Sequence, residues 1–169
     1  IINIGRQFGG GGRAVAYELG KKLDIPVYDR EIISQAAKDS GFGAEFFKER
    51  DEKRGFFSFT EIFANGFSGT ENYMSDRGIF KLQSQTIEKI AEQGSAIIVG
   101  RCADYILRNR EDCLNVFIYA DTAYKAKRIV ELYGVTDKSP EKRLADKDGK
   151  RRVNYKYFTG RDWGEIENY

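Results

Sequence analysis

A glycine run near the start of the chain most constrains what this sequence can fold into. The stretch GRQFGGGGRAV, residues 5–15, follows the apolar opening Ile1 to Ile4 and precedes residues with helical periodicity. A strand, a glycine loop and a helix in this order gather backbone N–H groups and a helix N-terminus around one point, as in phosphate-binding loops. The nucleotide-binding pattern GxxxxGK[ST] is incomplete, because Arg13 and Ala14 replace its lysine and hydroxyl. We favour phosphate binding over the alternative, a plain strand-to-helix turn.

The charge balance and the absence of histidine exclude several function classes. The 169 residues suit one domain, and a net charge of +2 from 28 basic and 26 acidic residues argues against a nucleic-acid binder that works through bulk charge. Without histidine, triad hydrolases and most zinc enzymes are excluded. No apolar run approaches the roughly 20 residues that span a membrane. We therefore expect a cytoplasmic protein with neither nucleic acid nor membrane as partner.

The hydrophobic pattern predicts an α/β fold with a parallel sheet flanked by helices. Helical periodicity covers residues 13–23, 30–37, 78–93 and 122–133, and short apolar runs typical of strands cover residues 25–28, 95–99 and 115–120. Strands that alternate with helices form parallel sheets, which bind ligands beyond the carboxyl ends of their strands. The glycine loop, Asp29 and Arg101 all follow predicted strands. We expect residues 1–169 to form a single domain.

Residues 39–72 form an aromatic and glycine-rich segment without a clean period. The segment contains eight phenylalanines, and linkers seldom carry so many. We interpret it as a lid-like helical insertion or as an interaction surface, which could also pair with itself in a homodimer.

Arg101 and Asp29 each have a functional and a structural interpretation. Arg101 follows an apolar strand, where its charge needs a partner, and we favour a phosphate over an ion pair with Asp104 or Asp29. Asp29 could order an acceptor site or a metal-bound water, or it could cap a helix that begins at Arg30. Both alternatives for Asp29 stay open.

Residues 147–152 form a mainly basic cluster, KDGKRR. Such a charge run is ordinarily the solvated face of a helix. Phosphoryl transfer offers a specific alternative, because positioned cations stabilise the charge of the transferred group.

The chain resembles the cytidylate kinase-like family, a bacterial branch of the P-loop nucleoside monophosphate kinases. The resemblance lies in four stretches: INIGRQFGGGGRAVAYELGKKLDIPVYDREII, AIIVGRCADYIL, VFIYADTAYKAKRI and DKDGKRRVNYKYFTGRDWGEIENY. It implies a three-layer P-loop NTPase fold with helical insertions for the nucleoside monophosphate and the lid. It also implies ATP and Mg²⁺ as cofactors and a nucleoside monophosphate as acceptor. Chains of this family continue past Tyr169 through another strand and helix, which would lie outside this sequence.

The resemblance also implies roles for individual residues. The loop residues Gly9, Gly10, Gly11 and Gly12 would surround the donor's β and γ phosphates. Arg13 would stand in the lysine position, as is usual in this branch, and Arg101 would hold the acceptor monophosphate, with Asp29 beside the acceptor. The lid, about residues 137–158, would bring Arg152 first and Arg151 next to the transferred group.

Two departures leave rival functions open. Val99 and Cys102 replace the acidic residues that flank the Gly-Arg pair in true cytidylate kinases, so neither a cytosine preference nor a metal ligand follows from the resemblance. Val99, Ala14 and the Phe-rich segment, which has no match in the family, favour a nucleotide-binding or regulatory protein that lost transfer. A third hypothesis is an interaction module that uses the Phe-rich segment.

Overall fold

The computed structural model describes residues 1–29 and 73–169 of the chain. The strands are β1 (Ile2–Arg6), β2 (Val27–Tyr28), β3 (Ile97–Val99) and β4 (Leu114–Ile118). The helices are α1 (Gly12–Leu23), α2 (Tyr73–Glu92), α3 (Ala103–Ile106), α4 (Thr122–Tyr133) and α5 (Pro140–Thr159), followed by a 3₁₀ turn at Ile166–Asn168. The predicted helix at 30–37 and the Phe-rich segment at 39–72 lie outside the described residues.

The four strands form one parallel sheet in the order β2-β3-β1-β4. β1 lies between β3 and β4, and its Ile4 is in register with Val99 and Val116. Because all strands run the same way, their carboxyl ends meet at one edge of the sheet. The predicted α/β fold with a parallel sheet is confirmed.

The sheet is covered by helices on both faces. Ile97 and Val99 pack with Ile4 of β1 and Ala16 of α1, whereas Ile98, between them, packs with Ile87 of α2. This alternation follows from the two-residue period of a strand. β3 is buried on both faces, as its continuous apolar run predicts.

Some element boundaries differ from the predictions for local reasons. Pro26 has no N–H to donate, and β2 begins only at Val27. β4 ends at Ile118, whose carbonyl accepts a hydrogen bond from the Gln7 N–H (2.9 Å), and Tyr119 beyond it is 75% exposed. In the described sheet β4 is an edge strand, and its residues are exposed or only partly buried, unlike those of β3.

α5 packs against α4 beside the glycine loop. Ala126 and Ile129 of α4 are buried with Leu144 of α5. The Ser139 side chain caps α5 by accepting a hydrogen bond from the Lys142 N–H, and a proline occupies the first position of the helix. The segment predicted as the lid, about 137–158, is thus mainly this helix. In residues 1–29 and 73–169, no helix has both the length and the apolar character needed to cross a membrane.

Candidate active site

The glycine loop connects the end of β1 to the start of α1. Gly9 and Gly11 have φ angles of +77° and +85°, which L side chains rarely adopt. Gly12 begins α1, and a Cβ there would lie 2.5 Å from the Cβ of Arg6. The loop therefore needs glycine at these three positions, and it leads into the N-terminus of a twelve-residue helix, where anions bind favourably.

Arg13 and Asp29 form an ion pair at this edge of the sheet. Nη2 of Arg13 lies 2.6 Å from Oδ2 of Asp29, which also accepts a hydrogen bond from the Tyr17 hydroxyl at 2.8 Å. The Asp29 carboxylate is buried, whereas the Arg13 side chain is 59% exposed. Burial, and then the hydrogen bond to Asp29, raise the pKa of Tyr17. The structure thus pairs the predicted donor-side cation with the predicted acceptor-side carboxylate, and Asp29 orients Arg13.

Arg101 stands in a turn of unusual backbone geometry at the end of β3. Gly100, Arg101 and Cys102 have φ angles of +72°, +61° and +55°, and left-handed residues other than glycine are uncommon. The Gln83 side chain donates a hydrogen bond to the Arg101 carbonyl (3.0 Å), and the Gly100 N–H donates to the carbonyl of Ile4 (3.0 Å). These contacts hold the turn in a conformation that two of its three residues, Arg101 and Cys102, disfavour.

The residues next to Arg101 form a buried polar cluster. The Tyr155 hydroxyl of α5 donates a hydrogen bond to Oδ2 of Asp104 (2.5 Å), and both residues are buried. Burial raises the pKa of Asp104 and that of Tyr155, the latter also through the Asp104 hydrogen bond. Burial likewise raises the pKa of Cys102 to about 12, so its thiol is not a nucleophile at neutral pH. The cluster links α5 to the turn that carries Arg101.

The basic cluster on α5 has an inner and an outer side. Asp148 is buried and accepts a hydrogen bond from the Phe8 N–H at 2.7 Å. Arg151, one turn later, donates to the Arg6 carbonyl (3.0 Å) and to Asp148 (3.2 Å), and lies over the Phe8 ring. Arg152 is exposed. Of the two lid arginines, Arg151 therefore contacts the glycine-loop segment in this structure, and the catalytic assignment of both residues stays a prediction.

Sequence reasoning missed Arg6 and Asp148. Burial, and then the positive charges of Arg151 and Arg101, lower the pKa of Arg6 to about 9; Asp29 opposes this shift, and Arg13 adds to it. Arg6 is thus influenced electrostatically by three arginines that the sequence predicted as site residues, and one of them, Arg151, contacts its carbonyl. Arg6 could have been identified from its position at the end of the strand before the glycine loop. Asp148 could have been identified from its spacing of three residues from Arg151, which places both on one side of a helix.

A third residue that the sequence did not single out supports the loop from α4. Lys125 is buried, and its Nζ donates a hydrogen bond to Oε1 of Gln7 at 2.7 Å. The Ile129 side chain and the Lys125 backbone also come so close to Gly9 that a Cβ there would contact both. α4 therefore backs the loop and limits how it can move.

The described residues include no metal cluster made by the protein alone. Among residues 1–29 and 73–169, no three Cys, Asp or Glu side chains come close enough together to hold an ion.

This parallel sheet, with a glycine loop between β1 and α1, has the fold of P-loop kinases. A family model for the cytidylate kinase-like family matches residues 1–169, and the chain belongs to that family.

The solved structures similar to this one include the following two. An uncharacterized protein from Eubacterium ventriosum ATCC 27560 is 29% identical, with a TM-score of 0.73 over 99% of this chain and 83% of that chain. Shikimate kinase from Bacteroides thetaiotaomicron is 17% identical, with a TM-score of 0.50 over 92% of this chain and 80% of that chain. A search of curated protein sequences finds no significant match.

Proposed function

We propose that the protein transfers the γ-phosphoryl group of ATP, with Mg²⁺, to a nucleoside monophosphate. The observation that carries this proposal is the convergence of Arg13, Arg101 and Arg151 around Arg6, beside a glycine loop at the carboxyl edge of the sheet. Asp29 and Asp148 pair with Arg13 and Arg151, and an anion bound among the four arginines would neutralise further positive charge. Phosphoryl transfer brings together a triphosphate and, in this case, an acceptor phosphate, which supply that negative charge.

The proposed roles follow the position of each group. Backbone N–H groups of residues 9–12 and the N-terminus of α1 bind the donor phosphates, and Arg13, on the first turn of α1, neutralises them. Arg101 binds the acceptor phosphate, and Asp29 orders the acceptor side through its bond to Arg13. Arg151, or Arg152 after a movement of α5, stabilises the transferred group.

The reaction requires alignment and charge neutralisation rather than a covalent intermediate. An oxygen of the acceptor phosphate attacks the γ-phosphorus of ATP, and the bond from that phosphorus to the β-bridging oxygen breaks. The products are ADP and a nucleoside diphosphate. Mg²⁺ bound with the donor phosphates beside residues 9–12 would supply further charge neutralisation. Since the attacking phosphate oxygen is already ionised at neutral pH, the absence of histidine is no obstacle.

A regulatory nucleotide-binding protein is the second candidate. Ala14 lacks the hydroxyl that binds magnesium in the usual loop, and Arg13 is held by Asp29 in this structure. Both features are compatible with ATP binding without turnover.

The decisive experiment measures ADP formation with ATP and Mg²⁺ over a panel of acceptors. The panel contains CMP, dCMP, UMP, AMP, GMP, shikimate and no acceptor, with Arg13→Ala as the control variant. We expect ADP formation that depends on one nucleoside monophosphate and is lost in Arg13→Ala. ATP binding by calorimetry without turnover on any acceptor would contradict the kinase proposal and favour the regulatory one.

We also place the protein in the cytoplasm, where ATP and nucleoside monophosphates occur.

A further inference from the structure

Arg6 lies between the glycine loop and the turn that carries Arg101. Its side chain extends from the end of β1, with its Cβ and Cγ against Gly12 of the glycine loop. Its Nη1 atom lies against the backbone of Gly100, the residue before Arg101. The side chain therefore spans the space between the loop proposed for the donor and the turn proposed for the acceptor.

The surroundings of this guanidinium are cationic. Burial lowers the pKa of Arg6 most; among the charges, Arg151 and Arg101 lower it further, Asp29 opposes them, and Arg13 adds a smaller lowering. In the described part of the chain, no carboxylate lies within 4.0 Å of Arg6, although Asp29 and Asp148 are ion-paired with Arg13 and Arg151.

An arginine with a structural role is normally placed against a carboxylate or against backbone carbonyls. A guanidinium that is largely surrounded by protein and close to other cations destabilises the folded chain unless something else compensates its charge. An anion with at least two negative charges would do so, and a phosphate monoester offers several oxygens to the planar fork of an arginine.

We propose that Arg6 and Arg101 together bind the phosphate group of a phosphate-monoester acceptor, between Gly12 and Gly100. This inference rests on the proposed function for the identity of the acceptor, and it adds a binding residue and a substrate requirement. The acceptor must carry a phosphate dianion, so a neutral nucleoside or a monocarboxylate would not occupy the site. The two glycines leave room for the arginine side chain, because a Cβ at either position would contact it.

The test measures binding by the full chain without any transfer reaction. Calorimetry compares CMP, UMP, AMP and GMP with the four matching nucleosides and with inorganic phosphate. The variants are Arg6→Met, which keeps the length of the side chain without its charge, and Arg108→Met as the matched control. Arg108 is exposed and lies over the Tyr105 ring.

We expect at least one nucleoside monophosphate to bind the wild type more tightly than its nucleoside. Its affinity should fall about 10- to 100-fold in Arg6→Met, as expected for loss of a charge-assisted hydrogen-bond pair, and stay within about twofold in Arg108→Met. The ligand-free Arg6→Met protein should also melt at a higher temperature than the wild type, because the variant removes a largely buried charge that no carboxylate of residues 1–29 and 73–169 contacts. If Arg6 instead stabilised the fold, Arg6→Met would melt at a lower temperature than the wild type.

Two results would overturn the inference: equal monophosphate affinity in wild type and Arg6→Met, or a wild type that binds none of these phosphates. If Arg6→Met does not fold, Arg6→Lys replaces it, and its affinity should fall about threefold to tenfold because a point charge replaces the fork. An unchanged affinity in Arg6→Lys would then overturn the inference. If a nucleoside monophosphate binds in an Arg6-dependent way but no phosphoryl transfer occurs, only the kinase proposal is contradicted. If transfer occurs but monophosphate binding does not depend on Arg6, only this inference is contradicted.

Discussion

The guanidinium of Arg6 lies so close to the backbone of Gly100 that a Cβ at position 100 would overlap its Nη1 atom. Arg6 ends β1 and Gly100 follows β3, and these two strands are neighbours in the sheet. The contact therefore joins the glycine-loop side of the site to the Arg101 side.

Replacement of Gly100 by alanine should displace Arg6. The matched control is Gly160→Ala, because Gly160 has φ +71°, close to the +72° of Gly100, but no heavy atom within 4 Å of a Cβ. Both substitutions should lower the free energy of unfolding by about 1 kcal/mol, the cost of a left-handed alanine. Only Gly100→Ala should also raise KM for the acceptor, by about tenfold, because the arginine fork is moved. Urea denaturation and steady-state kinetics measure the two effects, and equal KM values in both variants would contradict the contact's role.

The two lid arginines should differ in their effect on turnover. Arg151 donates a hydrogen bond to the Arg6 carbonyl and lies over the Phe8 ring, whereas Arg152 is exposed. We expect Arg151→Gln to lower kcat by about 10²-fold or more, toward the range of arginines that stabilise transferred phosphoryl groups. Arg152→Gln should lower kcat much less, and Lys150→Gln controls for the loss of an exposed charge on the same helix. A larger effect at Arg152 would mean that α5 rotates or closes during the reaction.

Asp148 should stabilise the fold through the segment that enters the glycine loop. Its Oδ1 accepts hydrogen bonds from the Phe8 N–H and from Arg151. Asp148→Ala leaves that amide without its acceptor and should lower the free energy of unfolding by about 1–3 kcal/mol. Asp146→Ala is the control, because Asp146 forms an ion pair with Lys138 in which both side chains are more than 40% exposed, and its loss should matter far less. Equal stabilities in urea would show that the Asp148 contact contributes nothing.

Asp104 should make stability depend on pH in a defined direction. Burial raises its pKa above the ordinary 3.8, although the Tyr155 hydrogen bond opposes the change. The folded state therefore binds this proton more tightly than the unfolded state. The resulting stability is present below pH 3.8 and is lost as the pH rises through the folded-state pKa.

The variant Asp104→Asn tests this, because an asparagine stays neutral and its carbonyl can still accept the Tyr155 hydroxyl. As the pH rises from about 4 to about 7, the free energy of unfolding of Asp104→Asn should increase relative to that of the wild type. The improvement should be about 1.4 kcal/mol for every pH unit by which the pKa of folded Asp104 exceeds that of the unfolded chain. Chemical denaturation at both pH values measures the difference. A constant difference between the two proteins would show that Asp104 has an ordinary pKa.

Local patterns in the sequence predict the elements of the fold well where apolar residues mark one face. The bounds of α4 are those that its period predicts, and α1 starts within one residue of the prediction. β3 is recognisable from its continuous apolar run. In α5, by contrast, the buried residues include Asp148 and Thr159, so no apolar stripe marks its inner face. The hydrophobic periodicity of α5 therefore cannot show that Asp148 and Arg151 face the glycine loop.

The candidate site is predictable in part for the same reason. Arg13, Arg101 and Asp29 could be found because each directly follows a predicted strand or the glycine loop. The ion pair of Arg13 with Asp29 could not be assigned, because it depends on how α1 packs beside β2. Arg6 was missed because an arginine at a strand end resembles any surface arginine until the neighbouring cations are placed around it.

Transfer of label from ATP tests the central claim most directly. The wild type is incubated with [γ-³²P]ATP, Mg²⁺ and each nucleoside monophosphate beside its matching nucleoside, and the products are separated. We expect label in one or more nucleoside diphosphates, no label on any nucleoside, and loss of the labelled product in Arg13→Ala. Label that appears on a nucleoside, or only in inorganic phosphate, would contradict the claim that these arginines align an acceptor phosphate with ATP.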